Sequence, residues 1–478
     1  MLKRVRRLHF VGIGGIGMSG IAELLLNLDY EVTGSDLRPS PITQRLEDLG
    51  GTVFVGHAAA NARGADVVVT SSAVSNSNPE VIAAQASGIP VIPRAEMLAE
   101  LMRMRHGILI AGSHGKTTTT SMMATVFEAA DLDPTVVIGG RLEAWGTNAR
   151  LGQGEFMVAE ADESDGSFLR LSPTIAVVTN IDLEHLDHYA SFDALRDAFV
   201  EFLNKVPFYG TAVVCLDDPE LQEIMPQVTR KLLTYGLNPQ SDIRASAIEV
   251  SAEGTRLICH AGADELGEIR LRVLGRHNAL NALACVAVAL DLGIQFDTVA
   301  DALASYAGTA RRFQRIHSGG DILVVDDYGH HPTEIRAVLG AAGEAFPDRR
   351  KIVCFQPHRY SRSQLLRDDF GRAFYDADVV LVLPIYAAGE EPIPGVTGED
   401  LALAMSQHGQ RQVINVADLE VAFETVTRHA RPGDIVLTLG AGDVWKLSRS
   451  VGEWLSGVER GVADEVGDSV DSTSTDEG

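Results

Sequence analysis

With 478 residues, 45% of them hydrophobic and 22% charged, the chain has the composition of a soluble globular protein large enough for several domains. Its formal net charge of −25 argues against nucleic acid and anionic membrane as partners, since both require a basic face; small anionic ligands stay open, because local clusters of Lys, Arg and loop amides can hold them. No segment reaches the ~18 uninterrupted apolar residues that cross a bilayer, and Cys215, Cys259, Cys285 and Cys354 are scattered without a Cys-x-x-Cys pair, as in a cytoplasmic protein with reduced thiols.

The first block, residues 1–104, opens with an apolar strand from Val5 to Val11. A glycine turn follows, Gly12-Ile13-Gly14-Gly15-Ile16-Gly17, then a helix from Met18 to Leu28 and a second strand from Glu31 to Ser35 that ends at Asp36. Gly12-x-Gly14-x-x-Gly17 with an acidic residue after the next strand is a diphosphate fingerprint: the glycines let a pyrophosphate approach the backbone, and Asp36 can accept from a ribose or a base. The pattern specifies a nucleotide diphosphate without saying which, since NAD and a UDP-sugar both carry one, and a tight turn without ligand reads the same. Asp66 to Thr70, running into Ser71-Ser72-Ala73, and Pro90 to Pro93 read as further strands, with a helix from Val81 to Ser87 between them. Strands and helices alternating at this spacing predict a parallel, doubly wound sheet.

The second block, residues 105–310, starts with the apolar strand Gly107-Ile108-Leu109-Ile110, then Ala111-Gly112-Ser113-His114-Gly115-Lys116-Thr117-Thr118, then a helical run from Thr119 to Phe127. Strand, glycine loop with Lys-Thr, and helix is the layout of a phosphate-binding loop. Loop amides and a helix N-terminus face an anion, Lys116 reaches the terminal phosphates, and the Thr117 hydroxyl is a Mg²⁺ ligand. The full Gly-x4-Gly-Lys-[Ser/Thr] pattern is not met, because position 110 is Ile. Two short apolar strands, Phe156 to Ala159 and Ile175 to Thr179, lead into polar loops: Glu160-Ala161-Asp162-Glu163-Ser164-Asp165, and Asn180 to His188, which contains His185. Carboxylates and a histidine at strand ends beside phosphates suit a metal–phosphate site; the bland alternatives are an acidic loop and a structural histidine. Alternation over Ile243 to Val250 and Thr255 to His260 predicts an antiparallel excursion. Asn278 and Asn281 share one face of an Ala-rich helix, where two amides can read the edge of a base, or where Asn278 simply caps the helix.

The third block, residues 311–461, carries four buried parallel strands: Ile322 to Asp327, Lys351 to Phe355, Val379 to Leu383 and Ile435 to Leu439. Two polar runs follow strands here, Asp326-Asp327-Tyr328-Gly329-His330-His331-Pro332 and Gln356-Pro357-His358-Arg359-Tyr360-Ser361-Arg362. Residues 462–478 are acidic, with hardly any apolar anchor, and read as a solvated disordered tail.

In this order, Gly12-Ile-Gly-Gly-Ile-Gly-Met-Ser-Gly20, Gly112-Ser-His-Gly-Lys-Thr-Thr118, Glu160-Ala-Asp-Glu-Ser-Asp165, His277-Asn278-Ala-Leu-Asn281, Asp326-Asp-Tyr-Gly-His-His-Pro332 and Pro357-His-Arg-Tyr360 closely resemble the Mur ligases, and within them the branch that adds L-alanine. The resemblance spans about residues 5–455. It implies an α/β protein of three domains: a Rossmann-like domain for a UDP-sugar, a central ATP-binding domain with a phosphate loop, and a C-terminal Rossmann-like domain for the amino acid. It implies a reaction in peptidoglycan precursor synthesis, in which ATP phosphorylates the lactyl carboxylate of UDP-N-acetylmuramate and the amine of L-alanine attacks the acyl phosphate. By motif position Gly112, Ser113, His114, Gly115, Lys116, Thr117, Thr118, Asn278 and Asn281 match the ATP site. Thr117 and Glu160 match ligands of a first metal, taken as Mg²⁺, and His185 a ligand of a second; Lys116, Glu160 and His185 are thus the expected catalytic set. Gly12, Gly14, Gly15, Gly17, Asp36, Ser71 and Ser72 match the UDP site, with Thr147 and Asn148 lining the sugar. Tyr328, His358, Arg359 and Arg362 match the alanine pocket, where an arginine can grip a carboxylate through two hydrogen bonds. Sibling ligases carry a carbamylated lysine after the metal histidine; no Lys occurs between Asp187 and Asn204, which agrees with the alanine-adding branch and leaves the second metal's shell unspecified. Two alternatives stand beside this reading, a sibling that joins a murein tripeptide and an NAD-dependent oxidoreductase inferred from the first glycine turn alone. A monomer and a homodimer are both compatible with the sequence.

Overall fold

The computed structural model describes residues 5–71, 73–103, 105–142, 147–185, 188–319 and 321–457, with the side chains of residues 16, 139–142, 147 and 148 outside that description. The acidic segment expected to be a disordered tail, 462–478, and Ser72 lie outside the described residues. By Cα proximity the chain divides into two compact units, the first comprising residues 1–249, 256–272 and 277–310, the second residues 250–255, 273–276 and 311 onward.

The first unit holds two sheets. One has strands β1 (Arg7–Val11), β2 (Glu31–Asp36), β3 (Thr52–Val55), β4 (Val67–Thr70) and β5 (Val91–Pro93), in spatial order 3-2-1-4-5 and all parallel. The order reverses at β1, so the turn after β1 sits at the topological switch point where such sheets take ligands. The other has ten strands: β6 (His106–Ala111), β7 (Thr135–Leu142), β8 (Thr147–Arg150), β9 (Phe156–Glu160), β10 (Ile175–Val178), β11 (Thr211–Cys215), β12 (Leu232–Gly236), β13 (Ile243–Ser251), β14 (Gly254–Ala261) and β15 (Asp264–Leu271), in the order 15-14-13-12-11-10-6-9-7-8. Strand β6 lies between β9 and β10, parallel to both. The central strands are almost wholly apolar and, except for His106 at the start of β6, buried, as a sheet covered on both faces requires.

The antiparallel pair β7–β8 was not legible in the sequence, and its strand β8 lies beside the helix Ile16–Asn27 that follows the first glycine turn. The phosphate-loop helix runs over Lys116–Ala129, three residues earlier than its apolar run suggests, so Lys116 and Thr117 are themselves helical. The Ala-rich helix Arg276–Asp291 is buried on nearly every side. Its small side chains let it press against the phosphate-loop helix, where the Cys285 thiol lies 3.6 Å from the Thr119 carbonyl.

The second unit is built on six strands, β16 (Gln314–His317), β17 (Leu323–Asp327), β18 (Lys351–Phe355), β19 (Val379–Val382), β20 (Val413–Asn415) and β21 (Ile435–Leu439), in the order 16-17-21-18-19-20. The four strands expected here are parallel, as read; β16 adds an antiparallel edge that the sequence did not announce. No helix among the described residues is long and apolar enough to cross a membrane.

The acidic loop after β9 is tied down by an aromatic anchor. Phe168, in the short helix Ser167–Arg170, is fully buried with its ring 5.4 Å from Phe199 and 5.0 Å from Phe202. Phe168→Ala is expected to lower stability by about 3–5 kcal/mol, the usual cost of deleting a buried aromatic; a urea midpoint within error of the parent would contradict that anchoring role.

Candidate active site

Three loops of the ten-stranded sheet converge at the carboxyl ends of β6, β9 and β10. The phosphate loop after β6 is held in place by the loop after β10. Ser113 N–H donates to the Asn180 carbonyl (3.0 Å), His114 N–H donates to Asn180 Oδ1 (2.8 Å), and the Thr179 hydroxyl and Asn180 amide donate to the His114 carbonyl at 2.6 and 3.0 Å. The Ser113 hydroxyl accepts from Asp182 N–H (2.8 Å), and His114 Nε2 lies 3.0 Å from Asp182 Oδ2. This approach explains Gly112, since a Cβ there would stand 2.3 Å from Thr179 Oγ1. Gly115, with φ +85°, caps the helix in the left-handed region, and a Cβ on it would lie 2.7 Å from Asn281 Oδ1. Asn281 in turn donates to Asn278 Oδ1 (3.2 Å), so the asparagine pair stands against the end of the phosphate loop.

Lys116 Nζ donates to the Gly112 and Ser113 carbonyls at 2.6 and 3.2 Å and to Glu163 Oε1 at 2.8 Å. Burial works against its charge, yet Glu163 and Asp162 outweigh it and hold the ammonium above its ordinary range. His185, in a left-handed backbone conformation (φ 59°), places Nε2 3.4 Å from both Glu163 Oε1 and Glu184 Oε2. The Tyr189 hydroxyl donates to the Glu163 carbonyl (2.6 Å). Glu163 is fully buried, and its Oε2 has no hydrogen-bond partner among the described residues. A fully buried carboxylate oxygen without a donor is an environment that fits a hard divalent cation. The sequence reading singled out Glu160 from this acidic run; the structure brings Glu163, three residues further on, to Lys116 and His185, while Glu160 ends β9 in a half-buried position. Strand-end placement alone does not rank four neighbouring carboxylates by which of them meets Lys116.

At the first glycine turn, Gly12 and Ile13 N–H donate to the Ser35 carbonyl (2.8 and 3.0 Å), and Gly14 N–H donates to Asp36 Oδ2 (2.9 Å). Asp36 Oδ1 accepts from Leu37 N–H (2.7 Å), so the carboxylate fixes the loop from inside. Gly15 is the helix N-cap, and Gly17 lies in the first turn. Beneath, the Ser35 hydroxyl donates to buried Glu80 (2.6 Å), whose carboxyl is pulled to about 2: burial pushes it up, but hydrogen bonds from His9, Ser35 and Asn61 prevail. Ser71 follows β4, its carbonyl accepting from Val74 N–H (3.0 Å), and Thr147 and Asn148 open β8.

In the second unit the two polar runs meet. The Tyr328 ring lies 5.4 Å from His330, His330 5.6 Å from His358, and His358 stacks on Tyr386 at 5.7 Å and 7°. Arg311 and Arg312 lie over Tyr328 at 5.0 and 5.3 Å, and Arg362 Nη1 donates to the His358 carbonyl (3.3 Å). Arg359 N–H donates to the Tyr386 carbonyl (2.9 Å) and Tyr386 N–H to the Pro357 carbonyl (2.8 Å). Tyr386 escaped the sequence reading because its segment bears no polar cluster, although it too follows a buried strand. Burial first, then His330, Arg362 and Arg359, depress His358 to about 3. Asp327 is pushed up to about 6 by burial, against the pull of Arg312 and two backbone N–H groups.

A parallel sheet with a phosphate-loop layout, a buried Lys–Glu–His cluster and a second glycine turn on its own Rossmann-like sheet have the geometry of a nucleotide-binding α/β protein. Residues 7–106 match the Mur ligase family catalytic domain, 110–289 the Mur ligase middle domain and 311–442 the Mur ligase glutamate ligase domain. The chain belongs to the Mur ligase family. It is 57% identical over 451 residues to the UDP-N-acetylmuramate–L-alanine ligase of Geobacter sp. strain M21, covering 94% of this chain and 98% of that protein. The crystal structure of the UDP-N-acetylmuramate–alanine ligase of Thermotoga maritima superposes with a TM-score of 0.81 at 29% identity, over 95% of this chain and 99% of that one. A murein peptide ligase from Psychrobacter arcticus shares the fold, with a TM-score of 0.70 at 24% identity over 94% and 98% of the two chains.

Two expectations follow from this geometry. Gly115→Ala adds a Cβ against Asn281 and a strained φ, and should weaken ATP binding at least about tenfold with the fold intact; unchanged affinity by calorimetry would contradict it. His358, depressed in the folded state, contributes stability above the ordinary histidine range that is lost as pH falls from about 6.5 towards 3. His358→Gln should therefore flatten the loss of stability between about pH 7 and 5; an unchanged slope in pH-dependent denaturation would count against it.

Proposed function

We propose that this chain uses ATP to join L-alanine to the lactyl carboxylate of UDP-N-acetylmuramate, releasing ADP and phosphate, in the cytoplasmic assembly of a peptidoglycan precursor. The observation that carries the reading is the convergence of Lys116, Glu163 and His185 at the mouth of the phosphate loop in a chain so similar, over nearly its whole length, to ligases of that name. A tripeptide-joining activity and a hydride transfer are not favoured: the relatives named for L-alanine match at 57% identity, and a dehydrogenase has no use for Lys116 and Thr117 behind a glycine loop.

The carboxylate oxygen attacks the γ-phosphorus, ADP leaves, and the acyl phosphate then yields to the uncharged amine of L-alanine with loss of phosphate. Transfer of this kind is mostly positioning and charge neutralisation. We assign Lys116 to the β- and γ-phosphates, the amides of Gly112, Ser113, His114 and Gly115 and the hydroxyls of Thr117 and Thr118 to the phosphate cradle, and Asn278 and Asn281 to the adenine. Thr117 and Glu160 would hold Mg²⁺ and His185 a second metal, with Glu163 and Glu184 each 3.4 Å from His185 Nε2. Mg²⁺ supplies Lewis-acid stabilisation of the transferring phosphoryl oxygens. Gly12, Gly14, Gly15, Gly17 and Asp36 take the UDP group, with Ser71, Ser72, Thr147 and Asn148 nearest the sugar. Tyr328, His358, Arg359 and Arg362 hold L-alanine; His358 stays uncharged at neutral pH, so the cationic fork of an arginine is left to receive the substrate carboxylate.

Phosphate release with UDP-N-acetylmuramate, scanned over amino acids, should require L-alanine. Turnover of a murein tripeptide without turnover of L-alanine would overturn the assignment. Lys116→Ala should lower kcat by well over tenfold, as loss of one preorganised charge in the transition state does; retention of more than about a tenth of the activity would refute its role.

A further inference from the structure

Arg94 opens the helix Arg94–Met102 directly after β5, and its guanidinium stands against the first glycine turn. Arg94 Nη1 lies 2.6 Å from where a Cβ on Gly17 would be, and Cζ lies 3.1 Å from it. The space that a side chain at position 17 would fill is occupied by this cation. On its other side Nη2 is 3.8 Å from Asp162 Oδ2, in the acidic loop whose next residue, Glu163, holds Lys116. Among the described residues the guanidinium makes this one long ion pair and no hydrogen bond, although its side chain is only 27% exposed. A largely covered arginine with its fork of five donors unspent is poised for a planar or tetrahedral oxyanion.

We propose that Arg94 is a substrate-binding residue that grips the diphosphate of the sugar nucleotide at the first glycine turn. The inference rests on the reading of that turn as the UDP-sugar site. Loop amides and the start of the helix Ile16–Asn27 offer the diphosphate partial charges only. Arg94 adds a full positive charge with bidentate geometry, and Gly17 is glycine because the guanidinium must reach the phosphate across its Cα. On its other side the guanidinium faces Asp162 at 3.8 Å, in the same acidic loop whose Glu163 holds Lys116.

The test compares UDP with UMP, which share base and ribose and differ by the second phosphate. Calorimetry on the full chain should show UDP binding the parent more tightly than UMP. In Arg94→Ala the affinity for UDP should fall at least about tenfold while that for UMP changes by less than about threefold, as expected from loss of a charge-assisted pair to phosphate. Arg94→Lys, which keeps charge without the fork, should fall between. If both nucleotides weaken equally, or neither weakens, in the variant that folds, Arg94 holds the helix rather than the diphosphate and the inference fails. If the parent binds neither nucleotide, the reading of the glycine turn fails instead. Should Arg94→Ala not fold, the UDP-to-UMP ratio of Arg94→Lys decides, an unchanged ratio overturning the proposal.

Discussion

The ion pair between Lys116 and Glu163 is the contact on which the nucleotide end of this protein depends. Burying two charges costs several kcal/mol for each ion unless hydrogen bonds and mutual attraction restore it. Here Lys116 spends its donors on two loop carbonyls and on Glu163, and Glu163 shares the same oxygen with His185. Such a cluster exists only if the loops after β6, β9 and β10 arrive together. The parallel register of those strands, Ile110 opposite Glu160 and Ala111 opposite Val178, delivers them side by side. The hydrophobic sheet is therefore the device that makes a buried charge cluster tolerable.

Much of this was legible in the chain itself. Parallel strands flanked on both faces read as short unbroken apolar runs, and the glycine loops announced themselves because close backbone approach excludes a Cβ. Other features had no local signature. Pairing of β7 with β8, and the edge strand β16, are decided by what lies beside them rather than by their own residues. That Glu163 meets Lys116 and His185 had no local signature either: its loop is fastened by the Tyr189 hydrogen bond and by Phe168 against Phe199 and Phe202, partners well along the chain. Tyr386 was invisible for the same reason: its meaning comes from the ring it stacks on.

The two glycine turns of the first unit solve the same problem in different ways. At the phosphate loop, glycine makes room for neighbouring polar atoms, Thr179 at Gly112 and Asn281 at Gly115. At the first turn, Asp36 reaches under Gly14 to hold the backbone, and the Ser35 carbonyl receives two successive N–H groups. In each case the loop is stiffened by side chains from other elements before any ligand arrives, which reduces the ordering entropy that binding would otherwise lose.

In the second unit, the segment carrying Tyr386 is fastened to the one carrying His358 and Arg359 by reciprocal backbone hydrogen bonds, forming a bridge outside any sheet. The spacing between the stacked ring and the arginines is thus dictated by main-chain geometry rather than by the side chains that line it. Under the proposed assignment of L-alanine to this region, a library confined to positions 328, 358 and 386 would vary the rings while the backbone bridge between the two segments is kept, making these positions the place to redesign which amino acid is accepted.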